Sequence, residues 1–402
     1  MGNTISQEII EKELAELKTA LKEKSLLDVA VQVQQELALL ENTTLNIAIT
    51  GLSGTGKSSL VNALRGVRDD EEGAAKTGPV ETTMEHVGYP HPAFSNVIVW
   101  DLPGTGTPEF KPDEYLERVN FSQYDFFIIV SGDRFTVHDA DLAREIRKRK
   151  RKFYFVRTKI DFSLDCERRK QGFDEKATLE KIRNYCCENL RKTGESSSKV
   201  FLISNSNLGV HDFSLLQKAI EKDLDNLKRQ VLIMALPMYL KEVLEKKKAA
   251  MESLIWKKAL KSSAFGAVPV PGLSFDCDLA ILEAAMKQIC HVFGLDEGSL
   301  QKFAKVIGKP VDELKAVIKK SSQAGEITTE FTINILLVTE PWATLTVLKT
   351  ALAVIPVLGS LAGAGLSFVT TFCMLKSFLK DVVEDTENVI AKVVELSKKC
   401  PK

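Results

Sequence analysis

The run Gly51-Leu52-Ser53-Gly54-Thr55-Gly56-Lys57-Ser58 has the residue types and spacing to hold a chain of phosphates. Its glycines let consecutive backbone N–H groups converge on one anion. Lys57 carries a point charge to the outer phosphates, and Ser58, followed by Ser59, offers a hydroxyl to Mg²⁺ at a helix N-terminus. Farther along, Asp101-Leu102-Pro103-Gly104 has the DxxG arrangement, in which the aspartate reaches Mg²⁺ through water and the Gly104 amide senses the γ-phosphate. Together the two motifs predict a nucleoside triphosphate site with Mg²⁺ as cofactor.

Thr158-Lys159-Ile160-Asp161 selects the base. Guanine presents two donors, N1–H and N2–H₂, to the acceptor-only carboxylate of Asp161, whereas adenine would oppose that buried charge with a ring acceptor. Such a site rejects the wrong base by roughly 10⁴ or more. Ser204-Asn205 follows another apolar run and is placed to support the guanine O6 from backbone amides. Four motifs in this order predict binding of GTP and GDP.

These residues need elements to position them. Apolar runs at 45–50, 96–100, 126–131, 153–157 and 200–204 alternate with helical stretches, the signature of a parallel α/β sheet with ligands at its carboxyl edge. Residues 8–41 are amphipathic at helical intervals and read as two helices, and helices dominate again from 214. Neither flanking segment buries its apolar face alone, so the two are expected to pack on each other. The expected organisation is an N-terminal helical segment at 1–43, a nucleotide domain at 44–213 and a C-terminal helical domain at 214–402.

Further segments support a family resemblance. The block 71–83, Glu-Glu-Gly-Ala-Ala-Lys-Thr-Gly-Pro-Val-Glu-Thr-Thr, resembles the immunity-related GTPases, the interferon-inducible family that defends cells against intracellular pathogens. So do Trp100-Asp101-Leu102-Pro103-Gly104, the YDFFII run at 124–129 and the FYFVRTK run at 153–159. The likeness is dense from about 46 to 205 and thinner beyond, where overall layout and the FGLDEGSL stretch at 293–300 carry it. Lys57 groups the chain with the effector-like members that have lysine in the phosphate loop.

The resemblance implies a Ras-like P-loop GTPase domain of the α/β class with a mostly parallel sheet, plus an α-helical domain built from both terminal segments. It also implies that Glu81 is the switch carboxylate serving catalysis, and that Thr77 or Thr83 closes over Mg²⁺ and the γ-phosphate. Lys57 and Thr83 join Glu81 as the expected catalytic set; Ser58, Thr83 and Asp101 are the expected metal residues. Thr105 stands where Ras-type enzymes carry the glutamine that orients the attacking water. Hydrolysis by an isolated molecule is therefore expected to be slow, the missing group coming from the switch or from a second copy across the nucleotide face.

The implied activity is hydrolysis of GTP to GDP and phosphate, with GTP-dependent self-assembly on intracellular membranes and defence at pathogen-containing vacuoles. One alternative is a regulatory or tissue-specific GTP/GDP switch with little hydrolysis that partners other family members; another is a solitary signalling switch. Lys57 argues against the first alternative, and the long helical mass argues against the second.

The chain has 402 residues, and its 54 basic and 54 acidic residues cancel, so no global field argues for nucleic acid. Seven cysteines without metal-ligand spacing read as reduced thiols, which with the resemblance suggests a cytoplasmic protein held peripherally on endoplasmic reticulum, Golgi or vacuolar membranes. Met1-Gly2-Asn3-Thr4-Ile5-Ser6 matches the pattern for myristoylation at Gly2. A single myristoyl chain binds bilayers only marginally, with an association constant near about 10⁴ M⁻¹, so a second signal is needed. Residues 350–375 carry no charge but are interrupted by Pro356, Gly359, Gly363 and Gly365. They read as a buried hairpin, with a membrane-dipping hairpin and a spanning helix as the other possibilities. The basic run REIRKRKRK at 144–152 reads as the cationic end of a surface helix.

Overall fold

Burial sorts the strands before their pairing is considered. In β1 (Leu45–Thr50) every side chain except Asn46 is buried, and in β4 (Phe126–Ser131) every side chain is. Strands buried on both faces belong in the interior of a parallel sheet covered by helices on each side. The computed structural model describes residues 26–78, 83, 85–105, 111–194, 200–236, 241–266, 273–321, 327–338 and 362–399, and there β1 and β4 are central. With β2 (Val87–Pro90), β3 (Val97–Asp101), β5 (Lys152–Arg157) and β6 (Val200–Leu202), the sheet runs β2-β3-β1-β4-β5-β6.

Five strands are parallel, while β2 pairs antiparallel with β3 in the register Gly88 opposite Trp100. Sequence reasoning expects only the parallel five and misses β2. Its four residues, Val-Gly-Tyr-Pro, contain two strand breakers, which an edge position tolerates. Gly88 is required by packing, since a Cβ there would lie 3.0 Å from the Trp100 ring. Trp100 in turn donates its indole N–H to Asn46 at 2.9 Å, locking β3 to β1.

The chain divides into two compact units, Asn42–Tyr239 and Met1–Glu41 with Leu240–Lys402. In the sheet unit, β1 is preceded by α1 (Leu26–Asn42), which lies almost wholly in the other unit. The sheet is flanked by α2 (Lys57–Leu64), α3 (Pro112–Arg118), α4 (Val137–Lys148), α5 (Ile160–Arg168), α6 (Glu175–Lys192), α7 (Phe213–Asp223) and α8 (Asn226–Ala235). The expected boundary after 213 falls too early. Helix α7 packs on β6 and α8 on β1 and β3, so both bury their apolar faces against the sheet.

The basic run ends α4 and enters β5, and most of its side chains are bonded to nearby groups. Arg144 pairs with Asp141, Arg149 with Glu145 and Glu117, and Lys152 with Asp223, while Arg151 donates to the Ser122 carbonyl. The opposite end of α4 carries a capping box between Thr136 and Asp139.

The helical unit contains α1, α9 (Lys241–Gly266), α10 (Leu273–Val292), α11 (Glu297–Ile307), α12 (Val311–Lys315), α13 (Thr329–Val338) and α14 (Ala362–Lys399). Helices α9, α10 and α14 pack on one another, with Trp256 of α9 against Phe368 and Phe372 of α14 at centroid distances of 4.9 and 5.1 Å. Glu36 of α1 pairs with Lys257 of α9 at 3.2 Å. Of the uncharged segment 350–375, residues 362–375 begin α14 as continuous helix through Gly363 and Gly365. The remainder, like Gly2, lies outside the described residues. Among the described residues no helix is long and apolar enough to cross a membrane.

Candidate nucleotide site

The phosphate loop leaves the end of β1 under tight steric control. A Cβ on Gly51 would stand 2.1 Å from the Val130 carbonyl oxygen of β4, so only glycine lets the chain turn there. Gly54 and Gly56 adopt positive φ, and Gly56 is the N-cap of α2 with no side chain bonded to the cap. The first N–H groups of α2 thus face outward beside Lys57. Lys57 donates to the Leu52 carbonyl at 2.9 Å, and Thr55 donates to the same oxygen at 2.8 Å.

At the neighbouring strand end, Asp101 is 1% exposed. Its Oδ2 accepts from Ser58 at 2.6 Å and from Thr83 at 2.9 Å, while its Oδ1 is buried without a hydrogen-bond partner among the described residues. Burial pushes this carboxyl above the ordinary carboxylate range, against the hydrogen bonds from Ser58 and Thr83 and the charge of Lys57. Burial thus outweighs the partners the protein itself supplies to this anion. Two hydroxyls and a carboxylate form a hard-oxygen donor set, and a divalent cation such as Mg²⁺ fits both the chemistry and the orphaned oxygen.

The base-reading elements close the other side. Thr158 donates to the Thr55 carbonyl at 2.6 Å and to the Ser131 carbonyl at 3.2 Å. Asn205 donates its side-chain amide to the Gly56 carbonyl at 2.9 Å. Two successive carbonyls of the phosphate loop are therefore gripped by the loops that follow β5 and β6. Lys159 adopts a left-handed conformation as the N-cap of α5, which carries Asp161 in its first turn. Asp161 accepts from Ser206 at 2.8 Å. Burial works to raise its carboxyl, but hydrogen bonds from Ser206, the Phe162 amide and Ser204 outweigh that and hold it below the ordinary range.

A cleft of about 240 Å³ is lined by Ser53, Gly54, Gly56, Lys57, Ser58, Ser59, Thr77, Gly78, Thr83, Gly104 and Lys159, with Asp161 outside this lining, two residues from Lys159. Asp101 is bonded to two of the lining hydroxyls, Thr158 and Asn205 hold the Thr55 and Gly56 carbonyls of the phosphate loop that begins at Gly51, and Ser204 precedes Asn205. Of the two threonines left open by the sequence, Thr83 is the one bonded to Asp101; Thr77 lines the cleft. Glu81 lies outside the described residues.

Several supporting residues escape sequence reasoning. The buried Tyr115 hydroxyl pairs with Thr50 at 2.8 Å and donates to the Pro103 carbonyl at 3.0 Å, tying the end of β1 to the DLPG turn. Gly132 backs the phosphate loop, since a Cβ there would lie 3.2 Å from Thr55 Cα. Ser206 lies just beyond the Ser204-Asn205 pair. None carries a local signature, because each acts across a long sequence separation.

The sequence model described as Interferon-inducible GTPase (IIGP) matches residues 7–393. The chain belongs to the interferon-inducible GTPase family. Membership in this family of GTP hydrolases makes it a GTPase. It is 41% identical to Interferon-inducible GTPase 5 of Rattus norvegicus, over 96% of this chain and 83% of that protein. Identity is 35% to Interferon-gamma-inducible GTPase 10 of Mus musculus, over 98% and 92% of the two chains. It is 40% to Interferon-inducible GTPase 1 of Mus musculus, over 78% and 76%.

Proposed function

We propose that this interferon-inducible GTPase family member binds GTP with Mg²⁺ in the cleft at the carboxyl edge of its sheet, hydrolyses it to GDP and phosphate, and self-assembles on intracellular membranes in the GTP state. The observation that carries the reading is the convergence of Ser58, Thr83 and Asp101, with a buried carboxylate oxygen left over beside the phosphate loop. Outward amides of Gly54 to Ser59 and the Lys57 ammonium would hold the β- and γ-phosphates. Ser58, Thr83 and Asp101 would hold Mg²⁺, which when bound neutralises charge developing on the phosphoryl oxygens. Asp161 would read guanine N1–H and N2–H₂, with Lys159 beside the base and the Ser204-Asn205 backbone at O6.

The attacking water needs a group to orient it. Thr105 is 1% exposed, its hydroxyl is buried, and its amide donates to the Gly51 carbonyl at 3.2 Å, so it is turned away from that task. Glu81, and a second copy meeting the nucleotide face, are the proposed sources. Completing the site in trans would contribute about 10³ to 10⁵ in rate, by analogy with arginine fingers. Membrane attachment would use myristate on Gly2 with a second contact, and the biological role would be cell-autonomous defence at a pathogen-containing vacuole.

Turnover per molecule measured across a wide range of protein concentration, with and without liposomes, tests this directly. Specific activity is expected to rise with concentration and to rise further on membranes; a flat profile removes the assembly step. For the base, Asp161→Asn is expected to weaken GTP binding by about 10² or more and to favour xanthine nucleotides, as read by calorimetry. Unchanged GTP affinity in that variant would contradict the assignment.

A further inference from the structure

We infer that Ser206 is a positioning residue for guanine recognition, one that holds the Asp161 carboxylate in its reading orientation. This rests on the reading of the cleft as a guanine nucleotide site. Ser206 Oγ donates to Asp161 Oδ2 at 2.8 Å, and the Ser206 and Ser204 hydroxyls stand 2.8 Å apart. Ser204 is buried and Ser206 exposed, so the pair forms a short hydroxyl chain from the end of β6 to the carboxylate at the start of α5.

The chemistry gives this chain a direction. Asp161 has two acceptor oxygens, and guanine brings two donors, one for each oxygen, only if the carboxylate plane is correctly turned. Torsion about the terminal carboxylate bond is broad, so an exposed aspartate needs partners to hold that plane, and of its donors Ser206, Ser204 and the Phe162 amide, Ser206 weighs most. A hydroxyl donating to Oδ2 occupies one lone pair, leaves the other for the base, and fixes the rotation. Ser206 also stabilises the ionised form, the form that accepts from guanine. The loop carrying it is anchored next door, where Asn205 is bonded to the Gly56 carbonyl. The hydroxyl is therefore presented from a braced position.

The test compares the full chain with Ser206→Ala and Ser206→Thr in calorimetric titrations with GDP and with IDP, which lacks the 2-amino donor, from neutral to acidic pH. The alanine variant is expected to lose about tenfold in GDP affinity, to lose part of the GDP-over-IDP preference, and to show acid loss of GDP binding at a higher pH than the parent. Threonine, which keeps the hydroxyl, should restore all three. Parent-like GDP affinity, base preference and acid midpoint in a folded Ser206→Ala protein would overturn the inference. A general weakening that leaves preference and midpoint in place, and that threonine does not rescue, would overturn it too. If the parent chain binds no GDP, the reading of the cleft itself fails, an outcome distinct from either of these.

Discussion

Two buried aspartates, one in each unit, show how differently this chain treats similar groups. Asp385, in the middle of α14, is fully enclosed and receives the backbone N–H groups of Lys319, Lys320 and Ser321 together with the Ser321 hydroxyl, at 2.6 to 3.0 Å. Burial works to raise its carboxyl, but those hydrogen bonds prevail and hold it below the ordinary range. Asp101 is as deeply buried, yet one of its oxygens has no partner among the described residues and its carboxyl is pushed up. A charge satisfied by its own protein is a clasp; a charge left short is a place for a ligand. Among the described residues the Thr105 hydroxyl, Asp139 Oδ1, the Asn205 amide oxygen and Gln217 Nε2 are also buried without partners, all in the sheet unit, and of these Thr105 and Asn205 adjoin the phosphate loop.

The comparison breaks first at Asp101. Asp101→Asn is expected to slow GTP hydrolysis by about 10² to 10³, while leaving the melting temperature unchanged or raised, because it removes a charge whose burial outweighs the hydrogen bonds from Ser58 and Thr83 and the charge of Lys57. Asp385→Ala is expected to do the reverse, costing about 3 to 5 kcal/mol through the amides left unpaired, with nucleotide binding by the folded fraction retained. Chemical denaturation and single-turnover hydrolysis on both variants separate the two roles; comparable loss of stability in both would erase the distinction. Acid titration sharpens it through opposite signs. The contribution of Asp385 is present above the ordinary carboxylate pKa of 3.8 and is lost as pH falls through its lower folded value. The Asp101 penalty instead develops as pH rises from 3.8 through its elevated folded value, and acid relieves it. In the Asp101→Asn variant the acid loss of stability should therefore be steeper.

Lys247 extends the comparison to a buried cation. It is 3% exposed in α9, donates to the Val292 carbonyl at the end of α10 at 2.8 Å, and has no carboxylate paired to it among the described residues. Burial lowers its pKa to about 7. Since the unfolded chain keeps this proton up to about pH 10.4, stability of the helical unit should climb between about pH 7 and 10. Lys247→Met is expected to flatten that climb and to stabilise the unit by about 1 to 3 kcal/mol at pH 7. Denaturation midpoints across that range check it, and an unchanged slope would show that Lys247 does not set it.

Much of this site was legible because its chemistry is local. Gly51, Gly54 and Gly56 can be read from their spacing, since a backbone loop that cradles an anion needs glycines at those positions whatever surrounds them. Apolar runs of strand length gave the five parallel strands for a similar reason. Strand β2 is hidden because Gly88 and Pro90 suit a strand only at the edge beside Trp100, and the sequence does not place α7 and α8 on the sheet because amphipathic helices do not say which surface they cover. The dense basic run at 144–152 reads as the cationic end of a surface helix, which agrees with its place at the end of α4 and with its partners Asp141, Glu145, Glu117 and Asp223.

Residue type and spacing therefore pointed to the phosphate loop and to guanine over adenine, while the family was legible as a resemblance carried by the block at 71–83 and the runs at 100–104, 124–129 and 153–159. Tertiary structure decided which threonine meets Asp101, that Thr105 is buried, and that Thr158 and Asn205 grip successive carbonyls of the phosphate loop. The physical reason is range. A backbone turn or a carboxylate's preference for donors is set within a few residues, whereas a side-chain hydrogen bond spanning more than a hundred positions exists only once the strands between have taken their order.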